Sequence, residues 1–199
     1  FIIDRLDDQR TKVTARELSQ KKGKIKDIFY ERTFFSDETR EIRIYGLKDE
    51  DKFLVKGDVK NGIRVHIIGG KGRDTIIDNS RVRGLQKKTV VYDRPGKTHL
   101  KSGRETKILI SNRKGINKYD RELFKYNKVI PQAYFGYSID DGVFAGGGAL
   151  IKAYRFRDST QQRILGNFAY QTMAFNVRYQ GIFSSVLRPF DLVIDGMIS

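Results

Sequence analysis

Four consecutive stretches of alternating apolar and polar residues, between Tyr134 and Ser199, constrain the fold of this chain more than any other feature. In one of them, Phe175, Val177 and Tyr179 alternate with polar residues. A side-chain period of two is typical of a β-strand that has one apolar and one polar face. The alternation changes register near Thr172, which predicts a tight turn and strands of about 9–11 residues. We therefore expect four strands in succession, joined by short turns.

Strands of this kind fit two environments. One is a soluble antiparallel sheet with one face in water. The other is the wall of a transmembrane β-barrel, in which apolar side chains face lipid and polar ones face the lumen. The segment from residue 134 to 199 holds 12 of the 23 aromatic residues, and Gly146–Gly148 lie within one of its strands. No stretch of the sequence approaches 18 consecutive apolar residues, so it predicts no transmembrane helix. The aromatic and glycine density favours the barrel.

Charge divides the chain into two parts. Residues 1–130 hold 33 Lys or Arg and 19 Asp or Glu, a net charge of +14, whereas residues 131–199 have a net charge of +1. A basic domain favours phosphate-rich partners such as nucleic acid, lipid headgroups or lipopolysaccharide. The alternative is a basic surface that only faces solvent. Nucleic acid is the least favoured partner, because no aromatic-plus-basic recognition module is present.

The basic part predicts its own β structure. Residues 1–24 read as a tail or as the end of an upstream domain, and residues 25–112 as a small β domain that is antiparallel or solenoid-like. Asn61-Gly62 predicts a hairpin between the strands on either side of it. Residues 113–133 read as a connector, with a short helix over Asp120 to Tyr126 as an alternative. The expected fold class is all-β, and we expect the chain to be a piece of a longer protein.

Two segments of the basic domain repeat 23 residues apart. Gly69 to Ile76 matches the calcium-binding pattern G-G-x-G-x-D-x-U-x, and Gly46 to Phe53 is a degenerate copy. Glycines permit such a turn, and carboxylates supply the oxygen ligands that calcium prefers. The candidate ligands are Asp74, Asp51 and Asp49. The alternative is a purely structural turn, because only one copy is complete and lysine and arginine residues crowd it.

No catalytic set is apparent in these residues. The chain has no cysteine, which excludes disulfides and thiol catalysis. His66 and His99 show no paired metal-ligand spacing, and His66 reads as a structural residue on a strand face. Asp140-Asp141-Gly142 predicts a turn rather than a catalytic pair of carboxylates, because neighbouring residues in a strand point to opposite faces. We therefore expect no enzymatic activity from these residues and no cofactor, calcium excepted.

Several short motifs carry a resemblance to a known family. They are Phe135-Gly136-Tyr137, Asp140–Phe144, Gly146–Gly148, Tyr170-Gln171-Thr172 with Ala174, Asp191-Leu192-Val193, Tyr30–Phe34, Thr39–Leu47 and Ile68-Gly69-Gly70. In this order they resemble the BamA/TamA-type outer-membrane surface-antigen superfamily. The stretch before residue 134 is similar to a Bacteroidetes-type branch in which the barrel often follows a metallophosphoesterase domain. The resemblance covers roughly residues 25–199.

The resemblance implies a bacterial outer-membrane β-barrel protein with its N-terminal part in the periplasm. The family inserts or translocates polypeptides, so the implied partners are outer-membrane lipids, other assembly proteins and client polypeptides. The expected first barrel strand would contain the seam residues, which are Gly146, Gly147, Gly148, Ala149 and Leu150. Glycine weakens a strand, and a weak seam offers an edge to an incoming strand. The alternative is a glycine tract that only fits a tight curve.

Two further functions remain open from the sequence. In the first of these, the barrel only anchors an upstream enzymatic or binding domain. No phosphoesterase motif occurs in these residues. In the second, the chain is a soluble β-protein that binds calcium or polyanions.

Overall fold

The chain forms two compact units, Phe1–Tyr119 and Asp120–Ser199. The computed structural model describes residues 1–18, 25–84, 86–96, 98–112, 115, 117–156, 158–187 and 190–198. The regular structure of these residues is almost entirely β-strand, with one 3-10 turn at Arg121–Leu123. This confirms the all-β prediction, and each unit is described by itself below.

Unit 1 is built from twelve strands that follow one another closely. Most are short, as expected where turn-forming residues interrupt the alternation. The strands are β1 (Ile2–Arg5), β2 (Arg10–Leu18), β3 (Ile25–Phe35), β4 (Glu41–Tyr45), β5 (Lys52–Lys56), β6 (Asp58–Val59), β7 (Arg64–Ile68), β8 (Asp74–Asp78), β9 (Arg81–Val82), β10 (Thr89–Asp93), β11 (Thr98–Lys101) and β12 (Thr106–Ile110).

Parallel stacking organises the strands from β4 onward. Strands β4, β7, β10 and β12 lie side by side in one sheet, β5, β8 and β11 in a second, and β6 and β9 form a third. Glu41 pairs with Arg64 and Lys52 with Thr75, so one coil takes 23 residues. The 23-residue repeat in the sequence therefore corresponds to the length of chain that forms one coil of the solenoid. The prediction of an antiparallel domain is wrong for this region, and the solenoid alternative is confirmed.

The hairpin predicted at Asn61-Gly62 is also wrong. Strand β5 precedes that turn and β7 follows it, yet the two belong to different sheets. The turn therefore rounds a corner of the coil and does not reverse the chain. The inward-facing residues of the coils fill a continuous interior. This core consists of Ile3, Val13, Ile42, Ile44, Phe53, Val55, Ile63, Val65, Ile67, Ile76 and Val91.

The N-terminal residues belong to this unit, which corrects their prediction as a tail. Strand β1 pairs in parallel with β5 of the first coil and antiparallel with β2, and β2 pairs antiparallel with β3. Ile3 is fully buried in the core. Alternation in this stretch is weak, because only a few apolar residues anchor it. The last residues of the predicted tail, 19–24, lie outside the described residues.

Unit 2 is an antiparallel meander of five strands in chain order. Two of its connections are tight turns, at which Gly142 (φ 69°) and Met173 (φ 53°) take positive φ. Both turns were predicted. The connector prediction is wrong for residues 128–133, which form the first half of an additional strand. The strands are β13 (Lys128–Ser138), β14 (Gly142–Arg155), β15 (Asp158–Ala169), β16 (Ala174–Leu187) and β17 (Phe190–Ile198).

Candidate functional site

One face of the meander is apolar from strand to strand. The register places Phe135 of β13 opposite Ala145 of β14. Ala145 lies opposite Phe168 of β15, and Phe168 lies opposite Phe175 of β16. These rings are exposed in this chain: Phe135 is 90% and Phe175 61% accessible. We call this surface the apolar face. It also carries Val129, Pro131, Ala133, Tyr137, Val143, Ala149, Ile151, Ile164, Val177, Tyr179, Phe183, Leu192, Ile194 and Ile198.

The opposite face of the same sheet carries most of its charged and amide side chains, together with some apolar ones such as Leu150, Ile182 and Val193. Arg178 Nη2 lies 2.9 Å from Asp195 Oδ2, and Gln180 Nε2 donates to the same carboxylate oxygen at 3.1 Å. Asn176 and Arg163 lie on this side as well, because side chains alternate along each strand. We call this surface the polar face. The two sides of the sheet therefore differ in polarity, and one of them is apolar across all five strands.

The glycine triplet lies in the interior of the sheet. Strand β14 pairs along its length with β13 on one side and with β15 on the other, so the prediction that Gly146 to Leu150 lie in the first barrel strand is wrong. A Cβ on Gly146 would come within 2.5 Å of the Tyr134 ring and 2.6 Å of the Gly166 carbonyl oxygen. Glycine therefore serves close packing at Gly146. Residues Gly147, Gly148, Ala149 and Leu150 share this two-sided pairing.

The predicted calcium ligands fall on the turns of the solenoid. Asp51 and Asp74 occupy equivalent positions in successive coils, and the Asp51 backbone N–H donates to Asp74 Oδ1 at 2.9 Å. Burial, together with the charge of Asp74, raises the pKa of Asp51 to about 6. Burial also raises the pKa of Asp74. Asp49 does not join this pair, since its side chain is exposed in the turn.

His66 is a buried residue on a strand face, as predicted. Its ring stacks on Tyr92 with centroids 5.7 Å apart, and its Nε2 lies 3.1 Å from Glu41 Oε2. Burial alone would raise the pKa of Glu41, but the hydrogen bonds and charges of His66 and Arg43 outweigh it and lower that pKa to about 2. Glu41, Arg43 and His66 belong to adjacent parallel strands, so this cluster ties two coils together.

Two features of the sites were missed by reasoning from sequence. Residues 128–133 extend the apolar face, and the signal available was an alternation of Val129, Pro131 and Ala133 with Lys128 and Gln132 that Ile130 interrupts. Asp93 lies beside Asp74 at the solenoid turns, and the signal was its place 24 residues after Gly69.

Comparison of this chain with family models, with curated proteins and with solved structures finds no match. No helix among the described residues is long and apolar enough to cross a membrane. The two surfaces of the meander and the turns of the solenoid are therefore the candidate functional sites of the described residues.

Proposed function

We propose that this chain is part of a bacterial outer-membrane β-barrel protein, in which the meander is a section of the barrel wall and the solenoid unit lies in the periplasm. The observation that carries the proposal is the exposed apolar face on a sheet whose other side is polar. Membrane barrels have this arrangement, with lipid on the apolar side and a polar lumen. A transmembrane strand needs about 9–11 residues, and the five strands have 11, 14, 12, 14 and 9.

A soluble sheet with such a face would bury it under a second layer. The described residues of unit 2 form only one layer, and the large side chains of its apolar face remain exposed. Contiguous apolar patches of this kind mark surfaces that contact a membrane or another protein. The polar face supports lipid as the contact, because an ion pair such as Arg178–Asp195 suits a water-filled lumen on the other side.

The proposed activity is insertion or translocation of polypeptides, with β13 as the receptive strand. In the described sheet β13 pairs only with β14, which leaves its other edge without a strand. Pro131 lacks a backbone N–H, so it weakens any ladder formed along that edge. An edge that pairs weakly is a template for an incoming strand, the mode known as β-augmentation.

The first experiment tests the barrel. The full-length native protein is fractionated and run on a gel with and without boiling. A closed membrane barrel stays folded in detergent and changes mobility on heating, because all its backbone groups are paired. We expect a heat-dependent shift in the outer-membrane fraction. A protein that stays in the soluble fraction and shows no shift would overturn the proposal.

The second experiment tests the receptive edge. Because the chain has no cysteine, single cysteines at Gln132 of β13 and Gln161 of β15 report on matched polar-face positions. We expect disulfide or bifunctional crosslinks to client outer-membrane proteins from Gln132→Cys and none from Gln161→Cys. Crosslinks that stay within the same protein, with client levels unchanged on depletion, would instead support a barrel that only anchors another domain.

A further inference from the structure

A second candidate site lies at one corner of the solenoid, apart from the meander. Tyr45, Ile68 and Tyr92 stack in register, so the residues that follow them, Gly46, Gly69 and Asp93, occupy equivalent positions in three coils. Two of these coils carry glycine where the third carries a carboxylate. We call the corner formed by Asp51, Asp74, Asp93, Gly46 and Gly69 the acidic corner.

The glycines leave room that carboxylate oxygens fill. A Cβ on Gly69 would lie 2.5 Å from Asp93 Oδ2 and 2.6 Å from Asp74 Oδ2. A Cβ on Gly46 would likewise lie 2.7 Å from Asp51 Oδ2 and close to the Gly69 carbonyl oxygen. Oxygen atoms of two different coils therefore converge where a side chain is missing, and any larger residue at Gly69 would displace them.

Two of these carboxylate oxygens lack a hydrogen-bond partner, whereas Asp93 Oδ2 accepts from the Thr98 hydroxyl. Asp74 is 1% exposed, and its Oδ2 is buried without a partner, as are Asp51 Oδ2 and the side-chain oxygen of Asn117. The Asn117 amide donates to Asp93 Oδ1 at 3.1 Å, which places it against the same corner. Buried charges in proteins are normally paired or coordinate a metal. No ion pair within the described residues involves Asp51, Asp74 or Asp93.

We propose that the acidic corner binds one calcium ion, with Asp74 Oδ2 and Asp93 Oδ2 as its carboxylate ligands. Every candidate donor is an oxygen atom, which suits calcium rather than zinc or copper. The described residues contain no group of three His, Asp or Glu side chains able to hold a metal. The remaining ligands are therefore backbone carbonyl oxygens of the glycine turns and water, as calcium accepts. Of the ligands predicted from the sequence, this site keeps Asp74 and adds Asp93; Asp51 lies in the corner without being a ligand, and Asp49 lies outside it.

The basic residues of the turn do not obstruct this site. Lys71 and Arg73 are exposed, whereas Asp74 between the same coils is buried. In this turn the side chains of Lys71 and Arg73 therefore face solvent, whereas the Asp74 carboxylate faces inward. The proposal is independent of the membrane assignment of the meander, since all of its residues belong to unit 1.

Calorimetric titration of the chelator-treated full chain in detergent with calcium chloride tests the site. We expect one ion per chain, with a dissociation constant on the order of 10⁻⁴–10⁻³ M. Asp74→Asn keeps the acceptor for the Asp51 N–H and should weaken binding at least ~10-fold, because a carboxylate ligand becomes neutral. Asp49→Asn makes the same charge change in an exposed side chain and should bind as the unmodified chain does. Absence of saturable binding, or equal loss in both variants, would overturn the proposal.

Thermal unfolding without calcium provides a second readout. Asp74→Asn should be at least as stable as the unmodified chain there, because it removes an unpaired buried charge, and calcium should no longer raise its Tm. A lower Tm for Asp74→Asn without calcium would show that groups of the protein already stabilise the Asp74 carboxylate. That result would contradict the proposed calcium site. Asp93→Asn takes its place if Asp74→Asn does not fold. Magnesium that binds as well as calcium would show non-selective screening and also count against the proposal.

Discussion

The two units use the same strand alternation and place their apolar side chains in opposite environments. In the solenoid, Phe53 and Val65 are fully buried among the coils, whereas in the meander Phe135 and Phe175 are exposed. The coils of the solenoid enclose a core of their own. The described residues of the meander form a single layer, and the large side chains of its apolar face stay exposed. Alternation therefore specifies that a strand has two faces and leaves open what each face meets.

The largest expected effect separates the two units. Phe53→Ala removes a fully buried ring from the solenoid core and should destabilise unit 1 by about 3–5 kcal/mol. Denaturant unfolding of unit 1, detected by its susceptibility to proteolysis, measures this change. The heat-dependent gel shift expected for the meander should persist. Loss of that shift in Phe53→Ala would contradict the independence of the two units. Phe135→Ala, on an exposed ring, is the matched control and should leave the stability of unit 1 unchanged.

The next prediction concerns the two faces of the meander. Ile164→Arg puts a charge in the middle of the apolar face and should cost about 2–4 kcal/mol of folding stability in lipid bilayers, because in the proposed barrel the arginine would face hydrocarbon. Asn167→Arg puts the same charge on the polar face of the same strand and should be tolerated. Folding titrations in vesicles measure both. Equal costs for the two variants would argue that the faces meet similar surroundings.

A third comparison sets a buried cation against an exposed one. The Arg5 guanidinium donates to the carbonyls of Ile63 (2.7 Å) and Lys88 (3.2 Å), which belong to successive coils. Arg5→Ala removes the donor to the buried Ile63 carbonyl, whereas the Lys88 carbonyl still accepts from the Val65 N–H, and it should cost about 2–3 kcal/mol. Arg178→Ala removes an exposed ion pair with Asp195 and should change the stability far less, because water screens an exposed pair. Urea unfolding of each variant provides the values, and a reversed order would contradict this account of the solenoid interior.

The smallest expected effect depends on pH. The pKa of Glu41 falls from 4.5 to about 2 in the folded chain, so its carboxylate stabilises unit 1 above pH 4.5, and this contribution is lost as the pH falls through about 2. Glu41→Gln should therefore reduce stability at neutral pH by on the order of 1 kcal/mol and flatten the acid branch of the stability curve. Circular dichroism at a series of pH values measures it. Glu38→Gln, in an exposed turn, should leave the curve unchanged.

Much of the fold was predictable where local chemistry decides it. The turns at Asp141-Gly142 and Thr172-Met173, and the strands that follow them, agree with the alternation. The 23-residue repeat anticipated the coil. The strand neighbours were not predictable, because parallel and antiparallel ladders accept the same alternating side chains. For the same reason Asn61-Gly62 read as a hairpin, although it turns a corner between sheets.

The residues of the candidate sites were likewise predictable from the sequence only in part. Asp51 and Asp74 were found because the glycine pattern marks their turn, whereas Asp93 and Asn117 reach the acidic corner only through stacking of the coils. The glycine triplet was found as a sequence feature, but its place in the interior of the sheet depended on β13, whose first half read as a connector. Pro131 interrupts the strand signal there, since proline is unfavourable in most strand positions.

By itself the sequence determined that the chain is all-β, that its strands have two chemically different faces, and that a 23-residue unit recurs. These follow from side-chain periodicity and turn chemistry, which act over a few residues. Only the tertiary structure decided which strands are neighbours, which carboxylates meet and which apolar face stays exposed. Those features depend on contacts between residues far apart in the chain, and no local pattern encodes such a contact.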